Sequence, residues 1–343
     1  EIMVLKIDNK KVERFLALVG EARNVLILAH KNPDGDAVGS MLGLAALLKK
    51  HGGYTDERLS LLLPGACPES LAELPGFERC LFGDKEMERC KEAFERADLV
   101  IGVDFNDTNR VGCLQPLLEA ARQPKIMIDH HWGPNEQAFN LVISFADISS
   151  TCELVYWLGY HAWGEEAFDQ RVATCLYSGI CTDTGSFAFS NSSPTLYTAA
   201  SHLVATGITP AAIYNNLFND YTENKLRFFA FCLSERMRMF ADKGFAYMYV
   251  SKADMERFQV SYADTEGLVN YLLKMRHVRV GVLLKEMDGI VRLNFRSKGP
   301  FEVNTFSQKH FGGGGHKLAA GGESSLSLDA TCLRLEQTLL PLL

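Results

Sequence analysis

At 343 residues the chain has length for about two domains, and 47% hydrophobic residues give it ample core material, which argues against wholesale disorder. A formal charge of −7 and a pI near 5.8 argue against a general duplex-binding surface, but leave room for a short nucleotide held end-on by a few local cations. Nine scattered cysteines without CxxC spacing suit reduced thiols rather than disulfides or structural zinc; no apolar stretch nears the roughly 20 residues of a membrane span, and no signal-peptide order opens the chain, so a cytoplasmic protein without membrane association is expected.

Residues 8–22 place Val12, Phe15, Leu16 and Val19 on one helical face behind an Asp8 or Asn9 cap. An apolar run over 25–29 stops at His30, as a buried strand of a parallel sheet would. A turn-rich segment then sets Asp34 and Asp36 on either side of Gly35, and residues 39–50 read as a helix stopped by Gly52 and Gly53. A second apolar run, 59–63, is closed by Pro64 and Gly65. A charged helix near 84–97 leads into a strand over 99–103 that ends at Asp104. Residues 111–121 read as helix, 125–128 as a strand running into Asp129, His130 and His131, and 140–145 as a further strand. Strand and helix alternate at βαβ spacing, which predicts an α/β fold with a parallel sheet and helices on both faces. In such sheets the ligand crevice lies at the carboxyl ends of the strands.

Residues 151–160 and 169–181 are expected to be helical; in the second, Val172, Leu176 and Ile180 recur every four residues, and the helix delivers Asp183 at its end. NSSP at 191–194 breaks the pattern, and 195–240 read as several helices. From Gly244 the strands FAYMYV, RVGVLL and IVRLNF appear with the helix TEGLVNYLLKM among them, then the block FGGGGHKLAAGG, then an amphipathic helix near 329–342. The expected organisation is a catalytic domain over 1–190, a helical connector over 191–225 that invites a hinge, and a smaller mixed α/β domain over 226–343.

His30, Asp34, Asp36, Asp104, Asp129, His130, His131 and Asp183 all fall at strand or helix ends of the first domain. A single Asp after a strand is commonplace and often caps a helix. Several converging on one crevice are different, because crowded carboxylates repel unless cations lie among them. Mixed His and Asp donors favour a borderline first-row metal such as manganese, cobalt or iron over an all-oxygen cage or structural zinc. The donors suffice for two metals with one Asp bridging, an arrangement that activates water and clamps a phosphoryl oxygen. In the second domain, Gly312, Gly313, Gly314 and Gly315 allow the backbone to approach a phosphate, with His316 and Lys317 beside it; the same run also suits a flexible link. Arg296 and Ser297, next to Lys298 and Gly299, read either as an anion site or as an exposed strand end. Arg110 is a weaker candidate that could simply pair with Asp107.

HKNPDGDAVGS, VDFND, DHHWGP and TDTGSF, in that order, resemble the four signature motifs of the DHH phosphoesterase family, and FGGGGHKLAAGG resembles the glycine-rich motif of that family's associated nucleotide-binding domain. The likeness covers nearly the whole chain, and the size and two-domain plan look most like the bacterial nanoRNase/phosphatase type. Carried over by motif, it implies that His30, Asp34 and Asp104 hold one divalent ion, and Asp36, Asp104, His130 and Asp183 a second, with Asp104 bridging and manganese the expected metal. On this basis Gly35 lets the carboxylates beside it turn toward different ions, Asp129 orients an imidazole, and His131 faces the scissile phosphate. Arg296, Ser297, Gly314, Gly315 and His316 would contact substrate, which would bridge the two domains.

The resemblance implies hydrolysis of short oligoribonucleotides to nucleoside monophosphates, with 3′-phosphoadenosine 5′-phosphate as a further substrate. A cyclic-dinucleotide phosphodiesterase acting on cyclic di-AMP or its linear product is the main alternative, since it uses the same two domains. A RecJ-like exonuclease would need additional DNA-binding domains, and a family II inorganic pyrophosphatase lacks the GGGGH block. A nucleotide-binding regulator without turnover is disfavoured by the full set of metal residues. The expected partners are short single-stranded RNA or small nucleotides, not long duplexes, with a homodimer as the candidate assembly.

Overall fold

The computed structural model describes residues 3–188, 193–219 and 221–343, and the chain divides into two compact units, Glu1–Asp220 and Tyr221–Leu343. In the first, α1 (Asn9–Glu21) begins where the Asp8 side chain accepts from the Lys10 amide. It is followed by β1 (Val25–Leu28), α2 (Gly35–His51), β2 (Leu59–Leu63), β3 (Cys80–Phe82), α3 (Met87–Arg96), β4 (Leu99–Val103), α4 (Gln115–Ala120), β5 (Lys125–Asp129) and β6 (Leu141–Ser144). Four helices complete the unit: α5 (Thr151–Trp163), α6 (Gln170–Thr184), α7 (Pro194–Ala205) and α8 (Pro210–Phe218).

The six strands are all parallel, in the doubly wound order β3-β2-β1-β4-β5-β6. Strand alternation explains the layers. Val25 and Ile27 face a core shared with α1, α2, α5 and α6, whereas Leu26 and Leu28 face a second core with Phe94, Val111 and Leu118. The direction of winding reverses between β1 and β4, which opens a crevice at their carboxyl ends. His30 follows β1 and Asp104 follows β4.

One close helix contact positions the rest of the site. Gly35, Gly39 and Gly43 line one face of α2 against α6. A Cβ on Gly39 would lie 2.5 Å from the Cys175 carbonyl, and one on Gly179 of α6 would lie 2.9 Å from the Gly35 carbonyl. Without those side chains, α6 lies close enough to α2 to bring its last turn, with Asp183, toward Asp36.

Several local expectations need correction. The second helix starts at Gly35, not 39, because the Asp34 carboxylate accepts from the Asp36 and Ala37 amides and so caps it. Residues 111–121 are not one helix: a 3-10 stretch, Thr108–Leu114, kinks at Gly112 (φ 54°) before the short α4. The three-residue β3 was not anticipated. Of the anticipated connector, residues 191, 192 and 220 lie outside the described residues, as do 189 and 190 of the preceding segment. Within it, Leu196, Ala199 and Leu203 of α7 are buried in the first unit's core.

The second unit contains α9 (Glu223–Glu235), β7 (Met237–Phe240), β8 (Phe245–Val250), α10 (Lys252–Phe258), α11 (Leu268–Leu273), β9 (Val280–Glu286), β10 (Val291–Ser297), α12 (Val303–Phe311), β11 (Gly314–His316), β12 (Ala319–Ser324) and α13 (Leu328–Leu339). Its sheet runs β11-β12-β10-β9-β8-β7, antiparallel except for the β8–β9 pair. One face packs on Val303, Phe306 and Leu335, the other on Phe228, Leu268 and Leu272.

Two sequence expectations change here. The end of the stretch 195–240 is the edge strand β7 rather than helix. FGGGGHKLAAGG is not a loop but the hairpin β11–β12, entered from the unforeseen helix α12. The hairpin itself requires some of its glycines: a Cβ on Gly313 would fall 1.8 Å from the Gly321 carbonyl oxygen, and Gly315 has φ +142°.

Candidate metal centre

His30 and Asp104 meet at the β1–β4 switch point, with His30 Nε2 3.3 Å from Asp104 Oδ2 and 3.9 Å from Asp34 Oδ1. The other ring nitrogen, Nδ1, lies 2.8 Å from the Lys31 carbonyl, and a proton shared there leaves the Nε2 lone pair facing the carboxylates. Burial lowers the His30 pKa against the opposing pull of Asp34, which keeps the ring neutral and suited to ligation.

A second group adjoins the first through the same aspartate. His130 Nε2 lies 3.5 Å from Asp104 Oδ1, 3.8 Å from Asp36 Oδ2 and 3.3 Å from Asp183 Oδ2. The two oxygens of Asp104 are therefore divided: Oδ2 faces His30 and Oδ1 faces His130. Among the described residues of the first unit, three sets of donor atoms converge closely enough to share an ion, His30–Asp34–Asp104, Asp36–Asp104–His130 and Asp104–Asp129–His131, and all three include Asp104. Bonds of about 2.1 Å at right angles would space neighbouring ligands about 3 Å apart, so the observed separations suit donors around a cation.

Electrostatics point the same way. Asp36, Asp104 and Asp129 are buried. Burial raises the Asp104 pKa well above the ordinary carboxylate range, and the facing charges of Asp36, Asp34, Asp183 and Asp129 add to it. Among the described residues no lysine or arginine forms an ion pair with Asp34, Asp36 or Asp104, whose ion pairs are to imidazoles. The donor set thus fits a divalent cation, which would supply the missing positive charge.

Backbone strain gathers at the same place. Of five non-glycine residues with positive φ among those described, Asn32 (53°), Asp104 (62°), Ser186 (55°) and Phe187 (67°) lie in the segments that carry the cluster. Asp104 is held in this conformation by its amide, which donates to the Ile128 carbonyl.

Asp129 orients an imidazole, but of His131 rather than of the neighbouring His130. It accepts from the His131 amide at 3.0 Å and lies 2.7 Å from Nδ1. The Arg110 side chain forms no ion pair with Asp107, whose carboxylate accepts from Thr108 and Asn135 instead; the Arg110 charge acts on His30, in the lowering direction. Gly35 has a different reason from the one expected. It is helical, and a Cβ there would sit 2.4 Å from Thr182, so its role is the close approach of α6.

Sequence reasoning places a helix from residue 151 but misses what the start of α5 does at the site. The amides of Thr151 and Cys152 donate to the two oxygens of Asp36 at 2.6 and 2.8 Å, and the Thr151 hydroxyl donates to Asp104 Oδ1 at 2.9 Å. The only sequence signal was a Ser-Ser-Thr opening, which reads as an ordinary helix cap.

The candidate substrate residues gather at one end of the second unit's sheet. His316, Ala319 and Arg296 lie in one row across β11, β12 and β10. Arg296 Nη1 donates to the Phe295 carbonyl, and the Ser297 hydroxyl donates to Phe301. Gly314 and Gly315 are exposed on the edge strand, and Lys317 pairs with Glu302. All nine cysteines are free, and no helix among the described residues is long and apolar enough to cross a membrane.

The DHH family, N-terminal domain, matches residues 24–180, and the DHHA1 domain matches residues 242–337. The chain is similar to an exopolyphosphatase-related protein from Bacteroides fragilis, whose crystal structure superposes with a TM-score of 0.93 at 31% identity over 99% of each chain. It is 29% identical to the bifunctional oligoribonuclease and PAP phosphatase NrnA of Bacillus subtilis, over 87% of this chain and 88% of that protein. The cyclic-di-AMP phosphodiesterase GdpP of Geobacillus thermodenitrificans is also 29% identical, over 94% of this chain but 47% of its own length. The doubly wound sheet, the His and Asp groups at its switch point and these matches agree: the chain belongs to the DHH family and carries the DHHA1 domain after its N-terminal domain.

Proposed function

We propose that this chain is a manganese-dependent phosphoesterase that hydrolyses short oligoribonucleotides to nucleoside monophosphates and removes the 3′-phosphate from 3′-phosphoadenosine 5′-phosphate. The observation that carries this reading is the pair of donor groups sharing Asp104 through its two oxygens. His30, Asp34 and Asp104 would hold one ion; Asp36, Asp104, His130 and Asp183 would hold the other. Imidazole mixed with carboxylate supports a first-row metal such as manganese over magnesium or calcium. Bound there, two divalent ions supply a nucleophile at neutral pH and neutralise charge on the phosphoryl oxygens.

The chain's own groups do the rest. With Nδ1 committed to Asp129, His131 would meet a phosphoryl or leaving-group oxygen through Nε2. Arg296, Ser297, Gly314, Gly315 and His316 would hold a terminal phosphate and its nucleotide, a fork and a row of backbone amides suiting an anion. The acidic balance favours short substrates, since a long polyanion would call for an extended basic track. The NrnA relative, matched over most of both chains, supports the same substrates.

A second reading, phosphodiesterase action on cyclic di-AMP or its linear product, is favoured by the likeness to GdpP. One panel separates them: labelled di- to pentaribonucleotides, 3′-phosphoadenosine 5′-phosphate and cyclic di-AMP, each with manganese-loaded protein. Mononucleotide release should be fastest from the short RNAs. Preferential opening of cyclic di-AMP would favour the second reading, and no hydrolysis of any substrate would overturn both.

A further inference from the structure

We propose that Thr151 is a positioning residue for the metal centre: its hydroxyl sets the plane of the shared Asp104 carboxylate while the first amides of α5 fix Asp36. This rests on reading the cluster as a metal centre. Three bonds run from one helix start to two carboxylates, from the Thr151 and Cys152 amides to Asp36 and from the Thr151 hydroxyl to Asp104 Oδ1. Thr151, Asp36 and Asp104 are all buried.

The geometry gives the hydroxyl a specific task. The terminal torsion of an aspartate is broad, so its two oxygens are not apportioned by rotamer preference alone. At Asp104 the apportioning matters, because Oδ1 faces His130 and Oδ2 faces His30. A donor on Oδ1 restrains rotation of the group and keeps one oxygen toward each set of donors. The helix start is itself rigid. The Ser150 hydroxyl accepts from the Glu153 amide, and Glu153 in turn accepts from the amide and hydroxyl of Ser149. Its other oxygen accepts from Trp157 Nε1 and the Thr195 hydroxyl. Thr151 thus reaches Asp104 from a fixed frame.

A positioning role for the Thr151 hydroxyl and a packing role for its side chain make different predictions. Thr151→Val keeps the shape and removes the donor; Thr151→Ser keeps the donor and removes the methyl. Each variant is titrated with manganese by calorimetry after chelator treatment, melted, and assayed for kcat and KM on a labelled diribonucleotide. Thr151→Val should melt near wild type, bind manganese about 10–100-fold more weakly and lose kcat with KM little changed, and Thr151→Ser should recover most of both. If Thr151→Val fails to fold, Thr151→Ala against Thr151→Ser carries the same comparison. Unchanged manganese affinity and kcat without the hydroxyl would overturn the proposal, as would equal impairment in the serine and valine variants. Wild-type protein that binds no manganese would instead overturn the metal-centre reading beneath it.

Discussion

Both units bury aspartate, and the two treat it in opposite ways. Asp254, in the second unit, is 5% exposed and Asp104, in the first, is 2% exposed. Burial would raise both pKa values. At Asp254 it is outweighed: Arg236 donates from Nε at 3.0 Å and Nη2 at 2.8 Å, the Ser251 amide adds a third bond, and the pKa ends below the ordinary value. At Asp104 the charges of Asp36, Asp34, Asp183 and Asp129 push the same way as burial. The chain neutralises one acid with its own arginine and sets the other among imidazoles and carboxylates, where a cation would fit. The first arrangement holds a fold together; the second is suited to binding something from outside.

Substitutions can break this contrast at either end. Asp104→Ala has the largest expected effect. Loss of the shared ligand should cost several kcal/mol of transition-state stabilisation, about 10³-fold or more in kcat, with the melting temperature of metal-free protein unchanged or raised. Substantial residual activity would show that Asp104 does not bridge. Chelation follows: stripping the metal should abolish turnover and lower stability by about 2.7 kcal/mol for each ion lost, relative to protein in metal at 100 times its Kd, both recovered on adding manganese. Thermal melts with and without chelator check it.

Asp254→Asn should show the reverse pattern. Breaking the Arg236 pair is expected to destabilise the chain by about 2–3 kcal/mol in denaturant melts, with kcat nearly unchanged wherever the protein remains folded. The pair also has a pH signature. Because the folded pKa of Asp254 is depressed, its contribution is fully present above the ordinary carboxylate value of about 4 and is lost as pH falls through the lower folded value. The acid limb of the stability curve should therefore be shallower in Asp254→Asn than in wild type. The smallest effect is expected from Arg296→Ala, a rise of about 10-fold in KM for a diribonucleotide with manganese affinity unchanged.

Much of the first unit was legible because parallel strands announce themselves. The apolar runs before His30, Asp104 and Asp129 are each buried between two helical layers, and each ends at the same edge of the sheet. The ordered motifs then tied those ends to one family. Contacts between segments distant in sequence were not legible. Thr151 serves Asp104, 47 residues earlier, through a hydroxyl that locally looks like part of a cap. Gly35 sits between two acids and reads as a turn, yet its space is required by Thr182 of another helix. The glycine-rich block misleads for the opposite reason: glycine lacks strand propensity, and here it is selected by the close approach of Gly321 within a hairpin.

The central claim is that the His and Asp groups of the first unit are there for cations. Manganese titration of chelator-stripped wild-type protein by calorimetry tests it most directly. Two ions per chain, with the second site weakened or lost in Asp104→Ala, is the predicted result; no binding by the wild-type protein, or binding unchanged in Asp104→Ala, would contradict it.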